Sequence, residues 1–160
     1  MSVAFTKEDS AETAAETMLP DRPISDAPNL VTAEGLAALE RQLAAARVEY
    51  DTAMRIEDVN ERRRQAANPF RDLRYFTERV RTAQLVSAPA DAEVVNFGCT
   101  VTFSRDDGRV QTYRIVGEDE ADPKAGSISY VSPIARALMG KGVGEVASVG
   151  ESELEIVAIA

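Results

Sequence analysis

The sequence predicts an α+β protein in which an antiparallel helical hairpin, a coiled coil, precedes a small antiparallel sheet that packs against one helix. Two changes along the chain predict this division. Small and apolar residues recur at alternating steps of three and four in the first half, whereas they alternate in steps of two after residue 91. The stretch between the two patterns, Ser87-Ala-Pro-Ala-Asp91, has the composition of a linker.

The composition excludes several classes of function. The chain has 160 residues, a formal net charge of −9, no histidine and one cysteine, Cys99. The absence of histidine excludes Ser-His-Asp and Cys-His triads and the usual zinc sites. No apolar run approaches the ~20 residues that a membrane span needs, and the first residues lack the pattern of a secretory signal. We therefore expect a cytoplasmic protein that makes no contact with a membrane.

Residues 1–30 form an acidic segment that is interrupted near its end by three prolines. Proline breaks a helix, and the composition favours a disordered tail. Two alternatives remain open for this segment. A short helix can form from Lys7 to Met18, or the segment can be an arm that docks on a partner or on the neighbouring domain.

Residues 31–86 are predicted to form the hairpin, with Thr32 as the N-cap of its first helix and a tip near residues 57–61. Pro69 removes one helical hydrogen bond, so the second arm is either kinked or begins after an irregular connection; we expect a break at Asn68. The heptad steps that define the seam between the arms run through Leu36, Leu39, Leu43, Ala46, Tyr50 and Ala53, and then through Ala66, Pro69, Leu73, Phe76, Val80 and Ala83.

Residues 91–160 are predicted to form the sheet and its helix. Strand patterns occupy residues 94–103, 110–116, 127–131, 145–149 and 154–159. Turns are expected at Asp106-Asp107-Gly108 and at Gly150-Glu151. The helix is expected to begin with Ser132 as its N-cap and Pro133 in its first position, and to end at Gly140.

Over roughly residues 97–145, the sequence of this second half closely resembles the C-terminal domain of the bacterial transcript-cleavage factors GreA and GreB. The layout of the preceding hairpin is also similar, so the resemblance covers about residues 30–160. It implies an FKBP-like fold for the C-terminal domain. Isomerase activity, which that fold also suggests, would rest on fold analogy alone. The matching stretches are Phe97-Gly98, Thr100-Val101, Tyr113 to Asp122, Ile128-Ser129, Ser132 to Leu138 and Gly140-Lys141.

The resemblance implies a monomeric partner of RNA polymerase that is not an enzyme by itself. In the family, the C-terminal domain docks at the rim of the polymerase secondary channel and the coiled coil enters that channel. Two acids at the tip then help to hold a Mg²⁺ ion, so that the polymerase cleaves the 3′ end of a backtracked transcript. The protein would have no cofactor of its own, because the polymerase active site supplies the Mg²⁺, and it would contact the nascent RNA 3′ end only indirectly.

The family tip carries an Asp, two further residues and a Glu, and this spacing matches Asp58-Val59-Asn60-Glu61. The resemblance therefore makes Asp58 and Glu61 the predicted catalytic and metal-binding residues. The alternative is a pair of solvated surface acids in a non-cleaving regulator that uses the same docking domain. Both arms look about one heptad shorter than is usual in the family, which would shorten their reach by ~10 Å.

Two further groups of residues are candidates for contacts with the polymerase. The resemblance implies a basic patch that faces RNA or polymerase, and arginine suits phosphate because its guanidinium is a planar fork; the alternative is a solvated face paired with nearby acids. The members of this patch would be Arg62, Arg63, Arg64, Arg71 and Arg74. The motif positions expected to dock on the polymerase are Ser129, Ser132, Pro133, Ile134 and Arg136.

Overall fold

The computed structural model of the protein describes residues 19–160, which fall into two compact units. One unit combines residues 39–82 with the described part of residues 1–26, and the other combines residues 27–38 with residues 83–160. The helix that the sequence allows from Lys7 to Met18 lies outside the described residues. Among residues 19–160, none of the helices combines the length and the apolar character that a membrane span requires.

The predicted hairpin is confirmed. Helix α1 covers Ala33–Ala53, helix α2 covers Val59–Thr82, and residues 54–58 connect them. Thr32 caps α1, since its Oγ1 accepts a hydrogen bond from the Gly35 amide at 2.9 Å. Each of the predicted seam positions is buried or half-buried and none is exposed, so the heptad pattern correctly identified the faces that pack against each other.

Helix α2 continues without interruption through Pro69, so the predicted break at Asn68 is wrong. A proline inside a helix costs about 3 kcal/mol or more, through a lost hydrogen bond and a clash with the preceding turn. Pro69 is one of the buried residues of α2. Its ring therefore contributes apolar packing at the seam, and this packing together with the helical turns on both sides offsets the local cost.

Two short strands flank the hairpin and pair with each other. Strand β1, Leu30–Val31, runs parallel to strand β2, Gln84–Leu85. The backbone of Gly117 closely approaches this pair, because a Cβ atom at Gly117 would lie 2.3 Å from the carbonyl oxygen of Leu30. Strands of two residues carry no periodicity, which is why the sequence did not reveal them.

The C-terminal sheet has five strands in the order β5-β4-β3-β7-β6. β4 and β5 are parallel, whereas all other neighbouring strands of this sheet are antiparallel. The connection between β4 and β5 is a crossover and not a tight hairpin, and it contains a short 3₁₀ turn, Pro123–Ala125. The strands are β3 Thr100–Arg105, β4 Val110–Val116, β5 Ser127–Ser129, β6 Val146–Val149 and β7 Ser152–Ile159.

One helix packs on this sheet, as predicted. Helix α3 covers Pro133–Leu138, and its N-cap Ser132 accepts a hydrogen bond through Oγ from the Ala135 amide at 3.3 Å. Gly140 has a φ of +82°, the left-handed conformation expected after the helix. The core between helix and sheet consists of Val95, Phe97, Val101, Phe103, Ile115, Ile128, Ala135, Leu138, Ala147, Leu154 and Ile156.

Candidate functional site

The two predicted catalytic acids both lie at the tip of the hairpin. Asp58 directly precedes α2 and Glu61 lies in its first turn. The Asp58 Oδ1 accepts a hydrogen bond from the Glu61 amide at 2.8 Å, so Asp58 is the N-cap of α2. Glu61 uses both carboxylate oxygens, because Oε2 accepts from Arg64 at 2.6 Å and Oε1 accepts from Gln65 at 2.8 Å.

These contacts favour the ionised form of the Glu61 carboxyl. The hydrogen bond from Arg64, followed by the one from Gln65, holds the pKa of the Glu61 carboxyl below its usual value. The side chain is therefore ionised at neutral pH, as a metal ligand must be. Each carboxylate oxygen has two lone pairs, so a metal would bind Glu61 either beside these two contacts or in place of one of them.

The tip acids alone are too few to form a complete metal site. Within residues 19–160 there is no group of three or more His, Cys, Asp or Glu side chains that could hold an ion. Mg²⁺ keeps several waters and often takes only one or two protein carboxylates. Asp58 and Glu61 therefore fit a metal whose other ligands come from another molecule.

The ion pair at the tip makes a testable prediction. We expect Arg64→Ala to raise the pKa of Glu61 towards the ordinary value for glutamate. Because Arg64 lowers the folded-state pKa, the pair stabilises the folded hairpin above that ordinary value, and this contribution is lost as the pH falls through the lowered pKa. Carbon-13 NMR titration of the side-chain carboxyl measures the shift.

The matched control is Arg81→Ala. Arg81 forms the same i,i+3 pair with Glu78 and lowers the pKa of that carboxyl. The control should raise the pKa of Glu78 and leave the Glu61 titration unchanged. If Glu61 titrates identically with and without Arg64, the tip ion pair does not exist in solution.

The structure divides the predicted basic patch into separate groups. Arg62, Arg63 and Arg74 line one groove beside the tip. Arg64 pairs with Glu61 instead, and Glu61 and Gln65 line a different groove on the other side of the hairpin. Arg71 is half-buried. The five arginines therefore do not form one continuous face.

The arginine-lined groove, hereafter the tip groove, has a volume of about 450 Å³. Its floor is apolar and includes Met54, Val59 and Phe70, which are 46%, 47% and 41% exposed. The rings of Phe70 and Tyr50 lie 5.5 Å apart across the two helices. The heptad pattern does not show this groove, although apolar residues that lie off the heptad seam near a polar tip, such as Met54 and Val59, are a signal for it.

The end of the predicted acidic tail also lies in the hairpin unit. Arg74 forms an ion pair with Asp21 at 2.7 Å, and Arg22 forms one with Asp72 at 3.2 Å. The Arg22 guanidinium also stacks 3.9 Å above the Tyr75 ring. Asp21 and Arg22 therefore contact α2, which agrees with the docking-arm alternative for this part of the tail.

The predicted docking residues have different roles in the C-terminal unit. Ser132 caps α3, Ser129 accepts a hydrogen bond from the Val131 amide at 3.2 Å, and Ile134 packs against the core. These three side chains serve the fold. Pro133 and Arg136 are exposed, so they are the members of the set that offer surface to a partner.

A family model described as the C-terminal domain of the transcription elongation factors GreA and GreB matches residues 90–160. The GreA factor of Methylobacterium nodulans is 35% identical over 149 residues, which cover 81% of this chain and 94% of that protein. The GreA factor of Brucella canis is 35% identical over 143 residues, which cover 86% of this chain and 85% of that protein. The GreA factor of Thioalkalivibrio sulfidiphilus is 53% identical over 70 residues, where the chain spans only 44% of that protein's length.

Among solved structures, GreA factor homolog 1 of Thermus thermophilus has 23% sequence identity and a TM-score of 0.39. The match covers 84% of this chain and 99% of the Thermus chain. A GreA/GreB factor from Nitrosomonas europaea matches with 15% identity and a TM-score of 0.38. The GreA factors of Methylobacterium nodulans and Brucella canis match over enough of this chain to include both the hairpin and the sheet.

Proposed function

The chain belongs to the GreA/GreB family of transcription elongation factors, and on this premise we propose that it binds RNA polymerase and stimulates the cleavage of backtracked transcripts. The C-terminal unit docks on the polymerase and the hairpin enters the secondary channel. The observation that carries the proposal is the pair of acids, Asp58 and Glu61, at the turn between two helices of 21 and 24 residues.

In this function the two carboxylates complete a metal site that belongs to the polymerase. Asp58 keeps its second oxygen for the metal or its water while the first caps α2. Glu61 would hold the metal beside its contacts with Arg64 and Gln65 or in place of one of them. A bound Mg²⁺ would supply an activated water and neutralise charge on the transferred phosphate. This chain's own residues position that ion and its water.

A second candidate is a regulator that occupies the same channel without stimulating cleavage. The observation that favours it is the occupancy of both Glu61 oxygens by Arg64 and Gln65. Both contacts compete with a metal for the Glu61 carboxylate. If the channel does not supply a stronger partner, Glu61 remains paired and the hairpin acts only by occupying the channel.

One assay separates the candidates. Polymerase is stalled in a backtracked state on a labelled transcript, the protein is added, and binding and cleavage are recorded in parallel. We expect saturable binding together with shortened transcripts. Binding without cleavage would leave only the second candidate, and absence of binding would contradict both.

A further inference from the structure

One edge of the C-terminal sheet, formed by β6, is open. In the order β5-β4-β3-β7-β6, this strand lies at one end and its neighbour is β7. The Ile156 amide donates a hydrogen bond to the Glu145 carbonyl at 3.0 Å. Because the hydrogen-bonding direction alternates along an antiparallel strand, Val146 and Ser148 direct their N–H and C=O groups away from β7. Within residues 19–160, no backbone group outside the sheet ladders bonds to these two residues.

Strand β6 lacks the features that usually protect the edge of a sheet. Natural edge strands commonly carry a lysine, a proline or an inward-pointing charge, which prevent pairing with another chain. Val146–Val149 contains neither a charged residue nor a proline. Val146 is 50% exposed, and Val143, which precedes the strand, is 61% exposed. An uncharged edge with exposed valines is typical of a site that accepts a further strand.

Two carboxylates lie one strand inward from this edge. The register pairs Val146 with Glu155 and Ser148 with Glu153. Directly opposite residues share a face of the sheet, and all four of these residues are exposed. A strand added beside β6 would lie roughly 10 Å from β7, which is two strand spacings. The stem of a lysine or arginine on that strand would cover Val146 or Ser148, and its charge would reach a glutamate.

The charge of this surface argues against a second copy of the chain as the added strand. Residues 85–160 carry six basic residues against twelve acids. Pairing two β6 strands would join two acidic units, which repel each other. It would also place valine and serine, and no cation, beside the glutamates of each copy. A basic segment of another protein meets no such repulsion and supplies the missing cations.

From these observations we propose that the edge of β6 binds an extended basic segment of a partner protein by strand addition. The backbone of the segment bonds to the outward N–H and C=O groups of Val146 and Ser148. Lysine or arginine at every second position faces Glu153 and Glu155, and the alternate positions carry β-branched residues beside the buried Ala147. Main-chain hydrogen bonds supply affinity and the two glutamates supply specificity. The surface contains none of the residues predicted to dock on the polymerase, so it is a second interaction site.

A capped hexapeptide of alternating lysine and valine, added to the full chain, is the probe for this site. We expect saturable binding, and amide hydrogen exchange at Val146 and Ser148 should slow by about tenfold or more at saturation. The amides of Ala147 and Val149 already point to β7 and should change much less. A hexapeptide of alternating glutamate and valine should not bind. A lysine peptide that fails to bind, or that protects residues outside β6 instead, would overturn the proposal.

Ser148→Pro tests the backbone pairing. It removes one outward N–H and no bond to β7, because proline is tolerated on a strand edge where the N–H faces solvent. We expect it to weaken peptide binding by about fivefold or more, whereas Ser148→Thr, which keeps the N–H, should bind as the parent does. A lysine–valine peptide with N-methylated amides makes the same test on the unaltered protein and should not bind. Parent-like affinity of Ser148→Pro, or binding of the N-methylated peptide, would contradict strand addition.

Glu153→Lys with Glu155→Lys tests the preference for a basic segment and should reduce the affinity for the lysine peptide by about tenfold. The matched control is Asp51→Lys with Glu57→Lys, two exposed acids of the hairpin. It changes the net charge equally and should leave the affinity within about twofold of the parent value, since distant charges are screened by salt. Equal losses in the two double variants would mean that the peptide responds only to net charge, which overturns the proposal.

Sedimentation of the parent chain without peptide tests the alternative occupant, a second copy. We expect a monomer, and Ser148→Pro should sediment in the same way. Dimers that Ser148→Pro dissociates would assign the edge of β6 to self-association and would overturn the proposal.

Discussion

Replacing Asp58 with asparagine and Glu61 with glutamine should reduce the stimulated cleavage of backtracked transcripts by about 100-fold or more. A metal that stabilises developing charge lowers a barrier by several kcal/mol, and each 1.36 kcal/mol is a factor of ten in rate. Asparagine caps a helix as well as aspartate does, and glutamine keeps the size of Glu61. The helix should therefore remain intact, and binding to polymerase should be retained while the cleavage rate falls.

The matched control is Asp51→Asn with Glu57→Gln, two exposed acids of the same hairpin. It removes the same charge near the tip and should leave cleavage within a few-fold of the parent protein. Single-turnover rates at saturating protein measure the effect without interference from affinity. A double variant at Asp58 and Glu61 that cleaves at the parent rate would show that the tip acids do not hold the metal.

Leu138→Ala should lower the free energy of unfolding by about 2–5 kcal/mol, the range for a leucine removed from a packed core. Leu138 is fully buried on α3, a helix of six residues. A helix this short has little stability of its own and depends on the apolar side chains that it packs against the sheet. Urea unfolding followed by circular dichroism measures the change.

Arg136→Ala tests whether the effect comes from packing. Arg136 is on the same helix but is exposed, so its replacement should change the free energy of unfolding by at most ~0.5 kcal/mol. Equal losses for the two variants would mean that helix formation, and not the burial of Leu138, limits stability. The Arg136 variant also reports on docking, because its fold is expected to remain intact.

Much of the fold could be predicted because local chemistry and tertiary packing agree. Thr32 and Ser132 are N-caps in both sequence and structure, and the heptad steps identified the packed faces of the hairpin. Pro69 is the exception: its local cost is visible in the sequence, whereas the packing that offsets it depends on α1. The parallel pairing of β4 with β5 likewise depends on the path of a connection and not on the pattern within either strand.

The site was less predictable for the same reason. The spacing of Asp58 and Glu61 located the tip acids, but it did not reveal that one caps α2 and that the other is held by Arg64 and Gln65. The tip groove requires residues from both arms to meet, and the contact between Asp21 and Arg74 joins positions that are far apart in sequence. Such pairings follow from the fold and leave no periodic signal.

The parallel pair of β1 and β2 closes the hairpin at its base, and the seam repeats every seven residues along both arms. Inserting or deleting seven residues in each arm would keep the same faces in contact and the same pairing at the base, while moving the tip by ~10 Å. The length of the hairpin can therefore change in steps of one heptad in each arm. Evolution or design can use such steps to change the length of the hairpin without altering the pairing of β1 with β2.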